Sequence, residues 1–215
     1  MVMNLKTLMA ASLVALGTAS ASNAAIVISE VYGGGGKSGA PLNRDFVELF
    51  NNGTGTENIG DLLVQYSSAT GTTFSTFATL PADTMLGAQS YYVIGVGPTS
   101  GTVGSSFTSD FSGSTGTNVS ATAGKVQLLS GTTVLDLVGF GATANAFETS
   151  PAPAGSNTTS IQRTAAGLLD TQNNSVDFTS LLAPTPGTGP VAVPEPASLG
   201  LLAIGGLAAL RRRRA

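Results

Sequence analysis

The sequence predicts an all-β sandwich, and three observations support that prediction. Apolar and polar residues alternate in several short segments, which is the period of a β-strand. Glycine-rich, polar turns separate these segments, and no segment between residues 26 and 190 keeps the 3.6-residue period of an amphipathic helix. With 215 residues, 42% of them hydrophobic, the chain has room for one domain with a substantial core.

The first predicted strand is residues 26–32 (IVISEVY), where strict alternation places Ile28 and Glu30 on one face and Ser29 and Val31 on the other. Further strands are predicted at 45–50, 61–67, 72–79, 91–96, 125–129, 132–140 and 160–164. The Ser-Gly pair before Thr132 predicts a hairpin. The Gly-, Ser- and Thr-rich stretches 97–124 and 141–160 are predicted as loops, the first of them long and mobile.

The N-terminus has the three parts of a secretory signal peptide. Lys6 supplies the positive charge and residues 8–17 form a short apolar run. Small residues follow and offer cleavage after Ala21, Ala24 or Ala25. We therefore predict a signal peptide at 1–25, removed by signal peptidase, rather than a membrane anchor or a buried helix.

The C-terminus carries an apolar run that a cluster of arginines closes. Residues 197–210 would span about 21 Å as a helix, which is short for a bilayer core of ~30 Å. Such a helix suits transient residence in the membrane better than permanent anchoring. Arginines resist translocation, so the cluster stays on the cytoplasmic side and the preceding domain lies outside. These stop-transfer residues are Arg211, Arg212, Arg213 and Arg214.

A Pro-Glu-Pro triplet precedes that apolar run, and the whole tail, 193–215, resembles the PEP-CTERM protein-sorting signal. The triplet lies in the segment Val193, Pro194, Glu195 and Pro196. The resemblance implies recognition and cleavage by an exosortase-type membrane protease of Gram-negative bacteria, followed by release from the cell or attachment at its surface. The alternative is a stably anchored inner-membrane protein whose tail is never removed.

Five segments between the two ends resemble, in order, the bacterial lamin-tail domain: 28–51, 63–71, 80–95, 134–141 and 156–178. The resemblance implies an immunoglobulin-like β-sandwich over residues 26–183, acting as a binding or scaffolding module without family-wide catalytic residues. Proline-containing residues 184–192 would then be a linker between the domain and the sorting tail.

Composition excludes several kinds of chemistry. The chain has no Cys and no His, which removes thiolate catalysis, Ser-His-Asp triads and the commonest transition-metal ligands. Between residues 26 and 192 there are four basic and eleven acidic side chains, a net charge of −7. We expect an acidic surface and no direct contact with nucleic acid, because neutralising phosphates needs Lys and Arg.

Three local patterns invite a functional interpretation. Four glycines followed by Lys37 and Ser38 imitate the end of a P-loop, but Val31 stands where that motif needs glycine, and a flexible connection is the better interpretation. Glu30 and Glu48 lie in neighbouring predicted strands, so they are either a carboxylate pair for catalysis or metal binding, or solvated side chains.

Oxygen ligands also recur at loop spacing in residues 170–177, where Asp170, Asn173 and Asp177 are weak Ca²⁺ candidates. The same residue types form Asx turns, and we expect neither a metal nor a cofactor. The sequence therefore predicts an exported, non-enzymatic module that contacts extracellular polysaccharide, biofilm matrix or another surface protein. The alternative is a small secreted hydrolase, or an accessory domain of one, that uses carboxylates such as Glu30 and Glu48.

Overall fold

The computed structural model describes residues 26–188 and confirms the all-β prediction. The strands are β1 (Ile26–Tyr32), β2 (Asp45–Asn51), β3 (Glu57–Asn58), β4 (Leu63–Ser68), β5 (Ser75–Thr79), β6 (Met85–Leu86), β7 (Tyr91–Val96), β8 (Phe111–Ser112), β9 (Gly124–Ser130), β10 (Thr133–Phe140), β11 (Ile161–Arg163) and β12 (Phe178–Thr179). A 3-10 turn at Ala165–Gly167 and a single turn of α-helix, α1 (Asn174–Asp177), lie between the last two strands.

Two sheets make up the sandwich. The first has the strand order β12-β11-β1-β2-β7-β8, and the second has the order β10-β9-β4-β5. Ile28 and Leu49 of the first sheet share one buried apolar cluster with Val64 and Leu128 of the second. This shared core supplies most of the stabilisation, since burying apolar surface contributes about 25 cal/mol per Å².

The predicted hairpin is present between β9 and β10, which pair antiparallel. Gly131 in its turn has a φ of +60°, in the left-handed region that glycine adopts without steric cost. The predicted loop 97–124 is mostly irregular and contains β8. It packs back on the first sheet, where the rings of Phe107 and Phe46 lie 5.4 Å apart.

A β-bulge in β1 makes the predicted alternation wrong beyond Ile28. The register against β2 shifts between Ile28 and Glu30, so Ser29 is an extra residue. Val31 therefore joins Ile28 in the core, whereas the sequence pattern placed it on the opposite face. Glu30 pairs directly with Glu48, whose neighbours in β2 point into the core, so both carboxylates lie on the outer face of the sheet.

That outer face is not open to solvent. Every residue of β1 and β2 is buried, because loops and the C-terminal end of the domain cover the side of the sheet that faces away from the core. Much of the acidic charge is buried as well: six of the eleven acidic residues lie in the interior, namely Glu30, Asp45, Glu48, Asp136, Asp170 and Asp177. The expectation of an acidic surface was therefore too simple, since much of that charge is in the interior.

The predicted membrane-associated segments lie outside the described residues. They are the signal peptide at 1–25 and the apolar helix at 197–210. Within residues 26–188, no helix has both the length and the apolar character needed to cross a membrane.

Candidate functional site

The sorting and processing residues predicted from the sequence also fall outside residues 26–188. They are Ala21, Ala24 and Ala25 at the first end, and Val193, Pro194, Glu195, Pro196 and Arg211 to Arg214 at the second. Within the described domain, two clusters of buried carboxylate side chains are the candidates for a functional site. The first is the Glu30–Glu48 pair, and the second surrounds Arg163.

Glu30 and Glu48 face each other across β1 and β2, and both are fully buried. Glu30 Oε1 accepts a hydrogen bond from Gln162 Nε2 at 3.2 Å, and Glu48 Oε1 accepts one from the Ser29 hydroxyl at 2.7 Å. Burial raises the pKa of Glu30 from 4.5 to about 7. Burial, together with the neighbouring Glu30 charge, raises the pKa of Glu48 from 4.5 to about 8.

Residues 183–188 lie over this pair. The Thr185 backbone N–H donates to Glu30 Oε1 at 3.1 Å, and the Thr185 hydroxyl donates to Glu30 Oε2 at 3.1 Å. The Gly187 N–H donates to Glu48 Oε2 at 2.7 Å. The segment expected to be a linker thus begins as a covering strap, bonded to the sheet.

A tight turn gives the strap its shape. The Thr188 N–H donates to the Thr185 carbonyl at 3.2 Å, and Gly187 has a φ of +82°. Pro186 before a glycine at positive φ is typical of a type II turn. The Ala183 carbonyl also accepts from Gln162 Nε2 at 2.7 Å, which attaches the strap to β11.

The structure therefore brings Glu30 and Glu48 together, as the hydrolase alternative requires, but encloses them. A catalytic carboxylate must come within hydrogen-bond distance of a substrate atom. Here backbone groups of the strap occupy the carboxylate oxygens, and the geometry is that of a packed polar cluster.

The second cluster is centred on Arg163, which is fully buried in β11. Its guanidinium forms an ion pair with Asp136 at 2.8 Å and longer ones with Asp170 at 3.4 Å and Asp177 at 3.5 Å. It also lies 4.5 Å from the centroid of the Phe178 ring. A buried guanidinium is stabilised by such paired carboxylates and by an aromatic face.

Two of the three Ca²⁺ candidates lie in this cluster, and the third does not. Asp170 and Asp177 each offer an oxygen within 4.8 Å of one from Glu148. The Asn173 side chain instead accepts from the Ser175 N–H at 3.2 Å and caps α1, which is the Asx-turn geometry that the sequence left as the alternative. The Arg163 guanidinium supplies positive charge where a cation would otherwise be needed.

The cluster contains more carboxyl groups than positive charges, and burial together with this excess raises the pKa of some of its carboxyls. Burial, reinforced by Asp136 and Asp170, raises the pKa of Glu148 from 4.5 to about 7. Burial also raises the pKa of Asp136, against the opposing effect of Arg163. The sequence did not indicate Asp136, Glu148 and Arg163 as members of this site, because they come from β10, a loop and β11, and only the packing of the two sheets brings them together.

The four consecutive glycines that imitate a P-loop form a crossing point of chain segments. A Cβ on Gly33 would overlap the Ser120 carbonyl, and one on Gly35 would overlap the backbone of Arg44. The Lys37 ammonium donates to the Gly33 carbonyl. Close backbone packing accounts for these glycines without a bound phosphate.

Comparison with known proteins gives two family matches. Residues 19–181 match the family model of the Lamin Tail Domain, and residues 192–214 match that of the PEP-CTERM protein-sorting motif. Both resemblances found in the sequence are thereby confirmed. None of the curated proteins is similar enough to count as a match. Among solved structures, the chain is similar to a DUF4876 family protein from Bacteroides thetaiotaomicron, with 12% identity, a TM-score of 0.49, and coverage of 81% of this chain and 74% of that one.

Proposed function

Because the chain belongs to the Lamin Tail Domain family, we propose that it acts outside the cytoplasm as a non-enzymatic binding or structural module. Its PEP-CTERM motif marks an exported protein that is sorted by an exosortase. The position of that motif, directly after the described domain, is the observation that carries the proposal. Signal peptidase would remove residues 1–25, and the membrane would hold the tail only during transit.

The non-enzymatic part of the proposal rests on how the carboxylates are used. Glu30 and Glu48 are covered by the strap, and Asp136, Asp170 and Asp177 contact Arg163. These groups support the fold and have no substrate-facing role in the proposal. A Glu48→Gln variant that is folded but loses a hydrolytic activity of the wild-type protein would favour the hydrolase alternative instead.

The partner of the exposed surface is proposed from its chemistry. Segment 97–124 presents exposed hydroxyl side chains, including Thr102, Ser106 and Thr115. Hydroxyl groups donate and accept hydrogen bonds, as sugar hydroxyls do. We therefore propose that the exposed surface binds extracellular polysaccharide or another surface protein in the matrix around the cell, and not nucleic acid.

Cell fractionation tests the sorting step. We expect wild-type protein at the cell surface or in the medium, and accumulation of a longer, membrane-associated form when the exosortase gene is deleted. Replacing both Pro194 and Pro196 with alanine should cause the same accumulation. Pro190→Ala, which lies outside the matched motif, is the control and should be sorted normally. Membrane retention of the wild-type protein, unaffected by deletion, would support the stably anchored alternative.

A further inference from the structure

The Glu30–Glu48 pair is buried without a positive partner. Within residues 26–188, neither carboxylate forms an ion pair with Lys or Arg, and the ion pairs there belong to Arg163. The ionisable groups that face the pair are Asp110, which adds negative charge near Glu48, and Tyr91, a phenol. Like charges directly opposite each other in a sheet repel, and burial strengthens that repulsion.

The strap removes this pair from water. Its contacts with the two carboxylates are the uncharged donors of Thr185 and Gly187, and a short turn positions both donors. Uncharged donors offset part of the cost of burying a carboxylate, but they do not neutralise two adjacent negative charges. Holding one proton on the pair relieves the repulsion and leaves oxygens to accept the strap's hydrogen bonds.

The proton therefore favours the covered state over the uncovered one. With the strap in place, the pKa values of Glu30 and Glu48 are raised to about 7 and about 8. If the strap lifted, water would reach both carboxyls and their pKa values would fall towards 4.5. Between these limits the covered state binds more protons, so its stability is complete at the acidic end and is lost progressively as the pH rises from 4.5 to about 7 to 8.

We propose that residues 183–188 form a proton-linked latch, which stays closed over the Glu30–Glu48 pair while the pair holds a proton and loosens when both carboxyls are ionised. The sorting motif begins at residue 192, a few residues beyond Thr188. A closed latch thus fixes where the tail leaves the domain, on the outer face of the first sheet. The latch is a property of the domain, and it holds whether or not the tail is processed as proposed.

Hydrogen exchange at the Thr185 and Gly187 amides tests the latch in the full-length chain. After correction for the intrinsic effect of pH on exchange, we expect protection of both amides to fall between about pH 5 and pH 8, by up to about tenfold per pH unit for each proton released. Glu48→Gln removes one of the two titrating groups and should flatten this dependence. Glu148→Gln is the matched control, since Glu148 also has a raised pKa but belongs to the Arg163 cluster, and it should leave the dependence intact.

Two results would overturn the proposal. The first is protection of Thr185 and Gly187 that does not change with pH in the wild-type chain. The second is a Glu48→Gln variant that keeps the full wild-type dependence. If Glu48→Gln fails to fold, Glu30→Gln provides the same test from the other strand, with the same expected flattening.

Discussion

Replacing Arg163 with methionine tests whether the second cluster is a structural ion-pair network. The substitution keeps an unbranched apolar side chain in place and removes the guanidinium that contacts Asp136, Asp170 and Asp177. Breaking a buried ion pair by removing one partner costs about 3–5 kcal/mol, because the remaining charge is left uncompensated. We expect the free energy of unfolding to fall by that amount.

The distances explain why the loss should not be three times larger. Asp136 lies 2.8 Å from the guanidinium and is almost fully buried, so this pair should dominate. The contacts with Asp170 and Asp177 are longer, at 3.4 Å and 3.5 Å, and contribute less. Since natural domains unfold with about 5–15 kcal/mol, a loss of this size removes about a fifth or more of the total stability.

Urea denaturation followed by circular dichroism measures the loss, as a shift of the midpoint at unchanged slope. Arg44→Met is the matched control. The Arg44 side chain is half-buried and donates to backbone carbonyls, including that of Gly95 at 3.1 Å, and to the Ser112 hydroxyl at 3.2 Å. Its removal should therefore cost only about 1–2 kcal/mol.

Calcium provides the second arm of the same experiment. If Arg163 supplies the positive charge of the cluster, Ca²⁺ should leave the urea midpoint of the wild-type protein unchanged. Ca²⁺ should recover part of the stability of Arg163→Met, in which Glu148, Asp170 and Asp177 lack the guanidinium. A loss below about 1 kcal/mol for Arg163→Met, together with stabilisation of the wild type by Ca²⁺, would refute this reasoning.

Two further predictions concern stability. Since burial raises the pKa values of Glu30, Glu48 and Glu148 in the folded state, the unfolding free energy should decrease as the pH rises from about 5 to about 8, the reverse of ordinary acid denaturation. Thermal unfolding across that range checks the sign, and a midpoint that rises with pH would contradict it. Gly35→Ala should destabilise the domain by more than about 2 kcal/mol, because its Cβ would overlap neighbouring backbone, whereas Gly55→Ala meets nothing within 4 Å and should be close to neutral. Equal urea midpoints for the two variants would show that the close chain packing at Gly35 tolerates a side chain.

The sequence predicted the strands best where the signal was local. The YYVIGV stretch is β7 at the predicted bounds, and the Ser-Gly turn marks the hairpin correctly, because hydrophobic runs and turn residues act over a few positions. The bulge at Ser29 had no such signal. An extra residue in a strand is defined by the partner strand, so alternation alone could not place Val31 in the core.

The buried clusters were the least predictable part. Arg163 and Asp136 are 27 positions apart, and their contact depends on how β10 and β11 lie in the sandwich. The strap could not be predicted from the sequence for a different reason. Its prolines are typical of a linker, while the groups that attach it, such as the Gly187 N–H, are backbone donors that every non-proline residue has.

We propose that this lamin-tail domain is exported and then separated from its sorting tail. The intact mass of the protein recovered from the cell surface or the medium, with fragment masses from both ends, tests this step because it locates both chain ends and any covalent addition. We expect a chain that begins between Ser22 and Ile26, after one of the candidate alanines, and ends near Pro194 to Pro196, without the four arginines. A mass that still includes residues 197–215 would contradict it.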